Sequence, residues 1–373
     1  MSNKKNKIVI GINSGTSIDS LDIGFFSILY SKSRYKIESF DQFSYKIPQR
    51  LHKVLWDLAS GKIDGIDDLL MADKELAVFI GKKTVLSIKK CKIKPEDIAL
   101  LGSHGQTVRH IPSKKVTLQI GDPSMIAVQT GITTVGDFRR ADIGAGGEGA
   151  PLSPIFHKFL FEGKSPLAVV NIGGISNISY LPENSNTGKP FGFDCGPGNI
   201  IIDWLVQKYF ARQYDNNGAI GRRGKIIDSI LEKLLKDRFL SSPPPKSSGR
   251  EYYGENFVLK YFKNKYEKCD LVTTATEYTA MAISSSIRNY LPEVSKLILC
   301  GGGALNQFLI RRIEANIPDV VVETSNVHGL HPKSVECAGF ALLAVMAFDN
   351  IKSDLRRTTG AKSPNILGKI CYA

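Results

Sequence analysis

Apolar runs of strand length and apolar stripes of helical spacing alternate along this chain, and many of them stop at glycine or a hydroxylated residue. Residues 7–12 (Lys-Ile-Val-Ile-Gly-Ile) predict a buried strand and 21–29 a second one. Between them lie Asn13, Ser14, Gly15, Thr16, Ser17, Ile18, Asp19 and Ser20, a small polar turn, so the pair reads as a hairpin. Leu69, Leu70, Leu76, Phe79, Ile80, Val85 and Ile88 recur at helical spacing and, with 50–60, predict two helices whose stripes face a core. Residues 98–101 read as a short strand running into Gly102-Ser103-His104-Gly105-Gln106-Thr107, and 116–120 as a strand of a second hairpin. Residues 167–170 and 178–181 flank Asn171-Ile172-Gly173-Gly174-Ile175-Ser176-Asn177 and repeat the strand, glycine-rich turn, strand order of the N-terminus. Further on, 200–206, 273–291, 307–315 and 337–348 predict helices, and 296–300 and 320–323 strands. The proline-rich stretch 241–250 reads as a stiff surface flap or spacer. Strands alternating with helices place the chain in the α/β class.

Composition narrows this picture. With 373 residues, 42% hydrophobic and 23% charged, the chain has the make-up of a soluble globular protein and room for two domains. A net charge of +13 suggests an acidic partner. The lysines, however, are scattered over predicted helices (Lys82, Lys83, Lys89, Lys90) without interleaved aromatics, which favours a small anionic substrate over nucleic acid. The six cysteines are widely spaced and form no Cys-x-x-Cys pair, arguing for a reducing compartment and against a disulfide frame or a zinc site. After Lys4, Lys5 and Lys7 only Ile8-Val9-Ile10 precedes Gly11, too short for a signal-peptide core. No apolar run reaches the roughly 18 residues of a membrane span. The expectation is a cytoplasmic protein with no membrane partner.

Candidate chemistry gathers where the runs stop. The polar turn at 13–20 lacks the Gly-Lys-Thr of a P-loop, yet its N–H and hydroxyl groups can grip a phosphate, and Asp19 or Asp22 can face a hydrated Mg²⁺. The plainer reading is an ordinary hairpin turn. Ser103 and His104 are neighbours on a strand and point to opposite sides, which excludes a nucleophilic dyad. Residues 136–151 are dense in Arg, Asp and Gly, and Arg139 and Arg140 offer bidentate donors for a carboxylate or phosphate. A solvated salt-bridge loop at a domain boundary is the alternative. In 192–199 (Gly-Phe-Asp-Cys-Gly-Pro-Gly-Asn) an acid stands on a glycine-proline elbow before a helix, so Asp194 either caps that helix or faces a ligand. Gly301, Gly302 and Gly303 end a strand and let a flat ring approach the backbone.

Taken together and in this order, Gly15-Thr16-Ser17-Ile18-Asp19, Ser103-His104-Gly105-Gln106-Thr107, Asp137-Phe138-Arg139-Arg140, Asn171-Ile172-Gly173-Gly174, the segment 192–199, Gly301-Gly302-Gly303 and Glu336 resemble the anhydro-N-acetylmuramic acid kinase family over almost the whole chain. The family belongs to the acetate and sugar kinase/Hsp70/actin superfamily. The resemblance implies two ribonuclease-H-like (actin-like ATPase) domains with a cleft between them, residues 1–133 plus about 346–373 and residues 134–345, and usually a homodimer. It implies ATP and Mg²⁺ as cofactors and an anhydro sugar as substrate, whose 1,6-anhydro ring is opened by water while O6 is phosphorylated, in recycling of cell-wall sugar. By match to the family's motifs, Asp194 is the general base. Gly15, Thr16, Ser17, Ile18, Asp19, Ser20, Leu21 and Asp22 bind ATP, with Gly173, Gly174, Gly301, Gly302 and Gly303. Thr107, Arg139, Arg140 and Glu336 hold the sugar. Ala141 and Glu148 stand where the family often has Arg and Gln, which keeps another anhydro sugar such as levoglucosan as an alternative substrate. An Hsp70/actin-type binding protein is the alternative from another class.

Overall fold

The computed structural model describes residues 7–15, 18–31, 34–161, 165–183 and 190–373. Thr16 and Ser17, both expected to bind ATP, lie outside the described residues. The chain divides into two compact units, Met1–Phe161 with Lys333–Ala373, and Glu162–Pro332. The chain leaves the first unit at 161/162 and returns at 332/333, whereas the bounds implied by the resemblance were 133/134 and about 345/346. The polar stretch 136–149 that suggested a boundary belongs inside the first unit, because Asp142 and Glu148 are bonded to Thr359 near the C-terminus.

In the first unit β1 (Lys7–Ser14), β2 (Ser20–Ser31) and β3 (Arg34–Lys46) form an antiparallel meander. On its other side β1 runs parallel to β4 (Ile98–Ser103). The hairpin of β5 (Gln106–Ile111) and β6 (Val116–Ile120) follows in sequence. The sheet then continues with β7 (Thr134–Gly136), parallel to β4, and the antiparallel edge strand Lys369–Cys371. Alternation along β1 sends Ile10 and Ile12 into a core with Leu51, Leu55, Leu76 and Ile80 of the helices Gln49–Ser60 and Ile66–Cys91. The helix Val335–Phe348 is apolar all round and its side chains from Cys337 to Ala347 are buried, as such a helix must be. It lies close enough to β1 and β4 that Gly11 and Gly102 face its backbone directly. The edge strand β3 was not among the predicted elements. Lys36, Glu38, Gln42 and Ser44 interrupt its apolar positions, as suits an edge.

The second unit repeats the plan. β8 (Leu167–Ile172), β9 (Ile175–Leu181) and β10 (Phe191–Pro197) form an antiparallel meander. β8 also runs parallel to β11 (Lys296–Cys300), which runs parallel to β12 (Val321–Thr324). Counted within each unit, setting aside the β5–β6 hairpin and the C-terminal edge strand, the order is 3-2-1-4-5 with strand 2 antiparallel in both. That is the ribonuclease-H-like topology the resemblance implied. Ala168, Val170 and Ile172 of β8 pack with Ala280, Ile283 and Ile287 of the helix Lys268–Tyr290. The segment 192–199 is not an elbow: Phe193 and Cys195 alternate into this core, so β10 continues through Asp194 to Pro197. A bulge shifts the register between Asp194 and Gly196.

Candidate active site

In the first unit the polar ends of β1 and β2 meet the start of the helix Val335–Phe348. Asn13 pairs with Asp22 across the β1–β2 ladder, and its side-chain amide donates to Glu336 Oε2 (3.1 Å). Burial pushes the Glu336 carboxyl up, and the neighbouring Asp22 carboxylate pushes it further. The Arg139 guanidinium and the Asn13 bond oppose this, and the balance is a pKa of about 7. Asp22 is likewise raised, by burial first, against bonds from Ser44 and Ser20 and the charge of Lys333. Its Oδ1 is buried with no hydrogen-bond partner among the described residues.

Arg139 is held from two sides. Its Nε–H donates to His104 Nε2 (3.1 Å) and its guanidinium donates to the Gly149 carbonyl (2.9 Å). Because arginine can only donate, His104 must accept at Nε2 and carry its proton on Nδ1, which donates to the Gly105 carbonyl (3.1 Å). Burial, with the Arg139 charge adding to it, lowers the His104 pKa to about 3, so the ring is a neutral acceptor; it stacks on Phe340. Burial also lowers Arg139 to about 10, while Glu336 and Asp142 favour its charge. Asp142 in turn accepts from the Gly149 amide (2.8 Å) and the Thr359 hydroxyl (2.7 Å), fixing the loop whose carbonyl Arg139 uses.

The arginine pair is split. Arg140 is exposed and faces Asp137 (3.6 Å), which Lys369 also approaches (2.7 Å), so the salt-bridge reading holds for Arg140 and not for Arg139. Thr107 sits on β5 and accepts from Gln119 (3.1 Å), while the neighbouring Gln106 accepts from Ser14 (2.6 Å). Gly15, Ile18, Asp19, Ser20 and Leu21 belong to the β1–β2 turn and the start of β2, with Asp19 exposed.

In the second unit the Gly173–Gly174 turn, residues 198–200 and the end of β11 come together. The amides of Gly198 and Asn199 donate to the carbonyls of Gly174 and Gly173 (2.8 Å each), and the Asn199 side chain donates to Ile172 and Gly173. Gly301 has φ +80° and packs against Asn171 and Ile172, and Gly303 against Ile172, so both are required by local geometry. Gly173 and Gly174 are different. Neither has positive φ, and a side chain on Gly174 would meet open space. Both carbonyls are already bonded within the turn, but the lack of side chains leaves room beside this half-buried backbone for the close approach of a ligand.

Asp194 does not cap the helix Ile200–Phe210, which begins beyond the end of its strand. Its Oδ2 accepts from the Ser247 hydroxyl (3.0 Å) and the Ser248 amide (2.8 Å), and its own amide donates to the Lys246 carbonyl (3.0 Å). The proline-rich stretch is therefore packed on Asp194 and is no free flap. The adjacent Cys195 is pushed up to about 12, chiefly by burial, and stays a thiol. Sequence reasoning missed Asn13, His104 as a partner of Arg139, and both serines. The serines carry no local signal, because fifty-odd residues separate them from Asp194.

Glu336 gives this site a pH signature. From its ordinary value of 4.5 up to about 7 the folded protein keeps a proton that the unfolded chain releases, so stability falls as pH rises through that window. Glu336→Gln removes this dependence. The stability difference between variant and parent, read from urea midpoints at about pH 4.5 and about pH 7.5, is expected to move in the variant's favour at the higher pH. A difference that stays constant would mean that Glu336 titrates in the ordinary carboxylate range.

With this geometry in hand, the family model described as Anhydro-N-acetylmuramic acid kinase matches residues 7–373. A protein named anhydro-N-acetylmuramic acid kinase from Coxiella burnetii is 38% identical over 367 residues, covering 97% of each chain. One of the same name from Caldanaerobacter subterraneus subsp. tengcongensis is 35% identical over 388 residues, covering 99% of this chain and 98% of its own. Among solved structures, component A of (R)-2-hydroxyglutaryl-CoA dehydratase from Acidaminococcus fermentans aligns over 91% of this chain and 97% of its own at a TM-score of 0.46 and 13% identity, too distant to argue from. Matched along nearly its whole length and at more than a third identity, the chain belongs to the anhydro-N-acetylmuramic acid kinase family.

Proposed function

We propose that this protein uses ATP to open the 1,6-anhydro ring of anhydro-N-acetylmuramic acid with water and to phosphorylate O6, giving N-acetylmuramic acid 6-phosphate. The observation that carries the mechanism is the Asp194 carboxylate, pinned on β10 by Ser247 and Ser248. In the proposed step a water oxygen bonds to C1, the C1–O6 bond breaks, and its electron pair stays on O6. Asp194 takes the water proton, for which it must come within about 2.6–3.2 Å of that water. O6 then bonds to the γ-phosphorus and ADP leaves with the electrons of the broken P–O bond. Arg139, backed by His104, offers a charged donor to the sugar's lactyl carboxylate, and Glu336 and Thr107 offer polar contacts to its hydroxyls. Arg140, exposed beside Asp137, would serve at the rim.

The space beside Gly174 and the absence of side chains on Gly173 and Gly174 support close approach of ATP, with Gly301, Gly302 and Gly303 beside them and the β1–β2 turn around Gly15, Ile18, Asp19, Ser20, Leu21 and Asp22 as the phosphate-side partner. The orphaned Asp22 Oδ1 fits a hydrated Mg²⁺, which takes one or two carboxylates and keeps its waters. When bound, the ion supplies charge to the transferring phosphate. No described helix is long and apolar enough to cross a membrane. A cytoplasmic homodimer working in cell-wall sugar recycling is part of the same proposal.

The test is to run the reaction in ¹⁸O-labelled water. ADP release is expected only with the anhydro sugar present, with label at C1 of the product and none in the phosphate. Label in the phosphate would mean plain ATP hydrolysis, and levoglucosan run in parallel separates the two sugars.

A further inference from the structure

Asp237 is nine-tenths buried and collects three tyrosines. Tyr252 donates to Oδ1 (2.5 Å), and Tyr253 and Tyr278 donate to Oδ2 (2.9 and 3.1 Å). The same carboxylate also caps the short helix Arg238–Ser241 through the Phe239 amide (3.1 Å). Tyr278 belongs to the long helix Lys268–Tyr290 in the core of the second unit, and Tyr253 is fully buried. Asp237 therefore ties both ends of the connection 238–253 to one fixed point. Between those ends, Lys246 donates to the carbonyls of Phe239 (3.0 Å) and Leu240 (3.1 Å) and lies over the rings of Phe239 and Tyr290. The Tyr290 hydroxyl closes the near side by donating to the carbonyls of Ser241 and Ser242. An exposed proline-rich loop carries none of its own reasons for such fastening. What it delivers at its tip is one backbone acceptor and two donors, all to Asp194.

We propose that residues 246–248 are a positioning clamp for Asp194, anchored by Asp237 and its tyrosines, that fixes the direction and basicity of this carboxylate. The inference rests on the reading of Asp194 as the base. Two donors on Oδ2 hold the carboxylate plane against rotation and stabilise its charged form, so that it is ionised and oriented before water arrives. Ser247 and Ser248 touch no reacting atom in this scheme and act through Asp194 alone.

Ser247→Ala removes one donor at an exposed position, where no core packing is lost. The expected result is a kcat lower by on the order of tenfold, the scale of one hydrogen bond to a charged group. The acid limb of the kcat–pH profile moves to higher pH, because the carboxylate has lost a group that favoured its charge, while KM for ATP is unchanged. Ser247→Thr keeps the hydroxyl and restores both kcat and the limb. An unchanged kcat and acid limb in Ser247→Ala overturns the clamp. So does a lower kcat with an unmoved limb, or a loss that Ser247→Thr fails to restore, since either would be loop packing alone. Asp194→Asn, run beside them, keeps the two readings apart. Near-parent turnover there removes the base itself, whereas an inactive Asp194→Asn with an unaffected Ser247→Ala removes only the clamp.

Discussion

Asp194→Asn is expected to lower turnover by a factor on the order of 10²–10⁴ while ATP still binds, the range for loss of a general base. The substitution is nearly isosteric, and one side-chain oxygen remains to accept from Ser247 and Ser248. The fold of β10 rests on other residues, with Phe193 and Cys195 in the core and the backbone ladder to β9. Loss of activity would therefore report chemistry. Single-turnover ADP formation measures the rate, and nucleotide titration shows that the variant still binds ATP. Retained turnover would show that water is activated by another group.

Gly11→Ala is expected to destabilise the first unit by about 3 kcal/mol, the upper end for overpacking. A methyl there would overlap the carbonyl oxygen of Cys337 and press on the amide of Ala341 (3.1 Å). Both are backbone atoms of the helix Val335–Phe348, so no rotamer change relieves the contact; β1 and the helix would have to separate. Gly102 stands in the same relation to the Phe340 carbonyl, so the two glycines together let sheet and helix backbones meet. Gly174→Ala is the control. A methyl there meets open space, and the urea midpoint should correspond to a change within about 0.5 kcal/mol. Equal midpoints for Gly11→Ala and the parent would mean that the helix does not lie against β1 at this distance.

Much of this architecture was legible in local pattern. The apolar run at 7–12, the stripe in Ile66–Cys91 and the wholly apolar Val335–Phe348 each state their class, because burial of one face or all faces is written into the spacing of neighbours. The echo of strand, glycine-rich turn, strand in the two halves corresponds to the first two strands of two sheets with one topology. β3 and β10 were not among the predicted strands. The first does alternate Tyr35, Ile37, Phe43 and Tyr45 with the polar residues of an edge, while the second hides its alternation behind glycines and a bulge that look like a turn.

The sequence by itself determined the α/β class, the doubled plan and the family, since periodicity and motif order are properties of residues near each other in the chain. Only the tertiary structure decided which polar atoms meet. It joined Asn13 to Glu336 across 323 positions, gave Arg139 to a neutral His104 while leaving Arg140 at the surface, and set Ser247 and Ser248 on Asp194. These bonds exist because folding removes water from groups that must then find partners, and the partner nearest in space is rarely nearest in sequence.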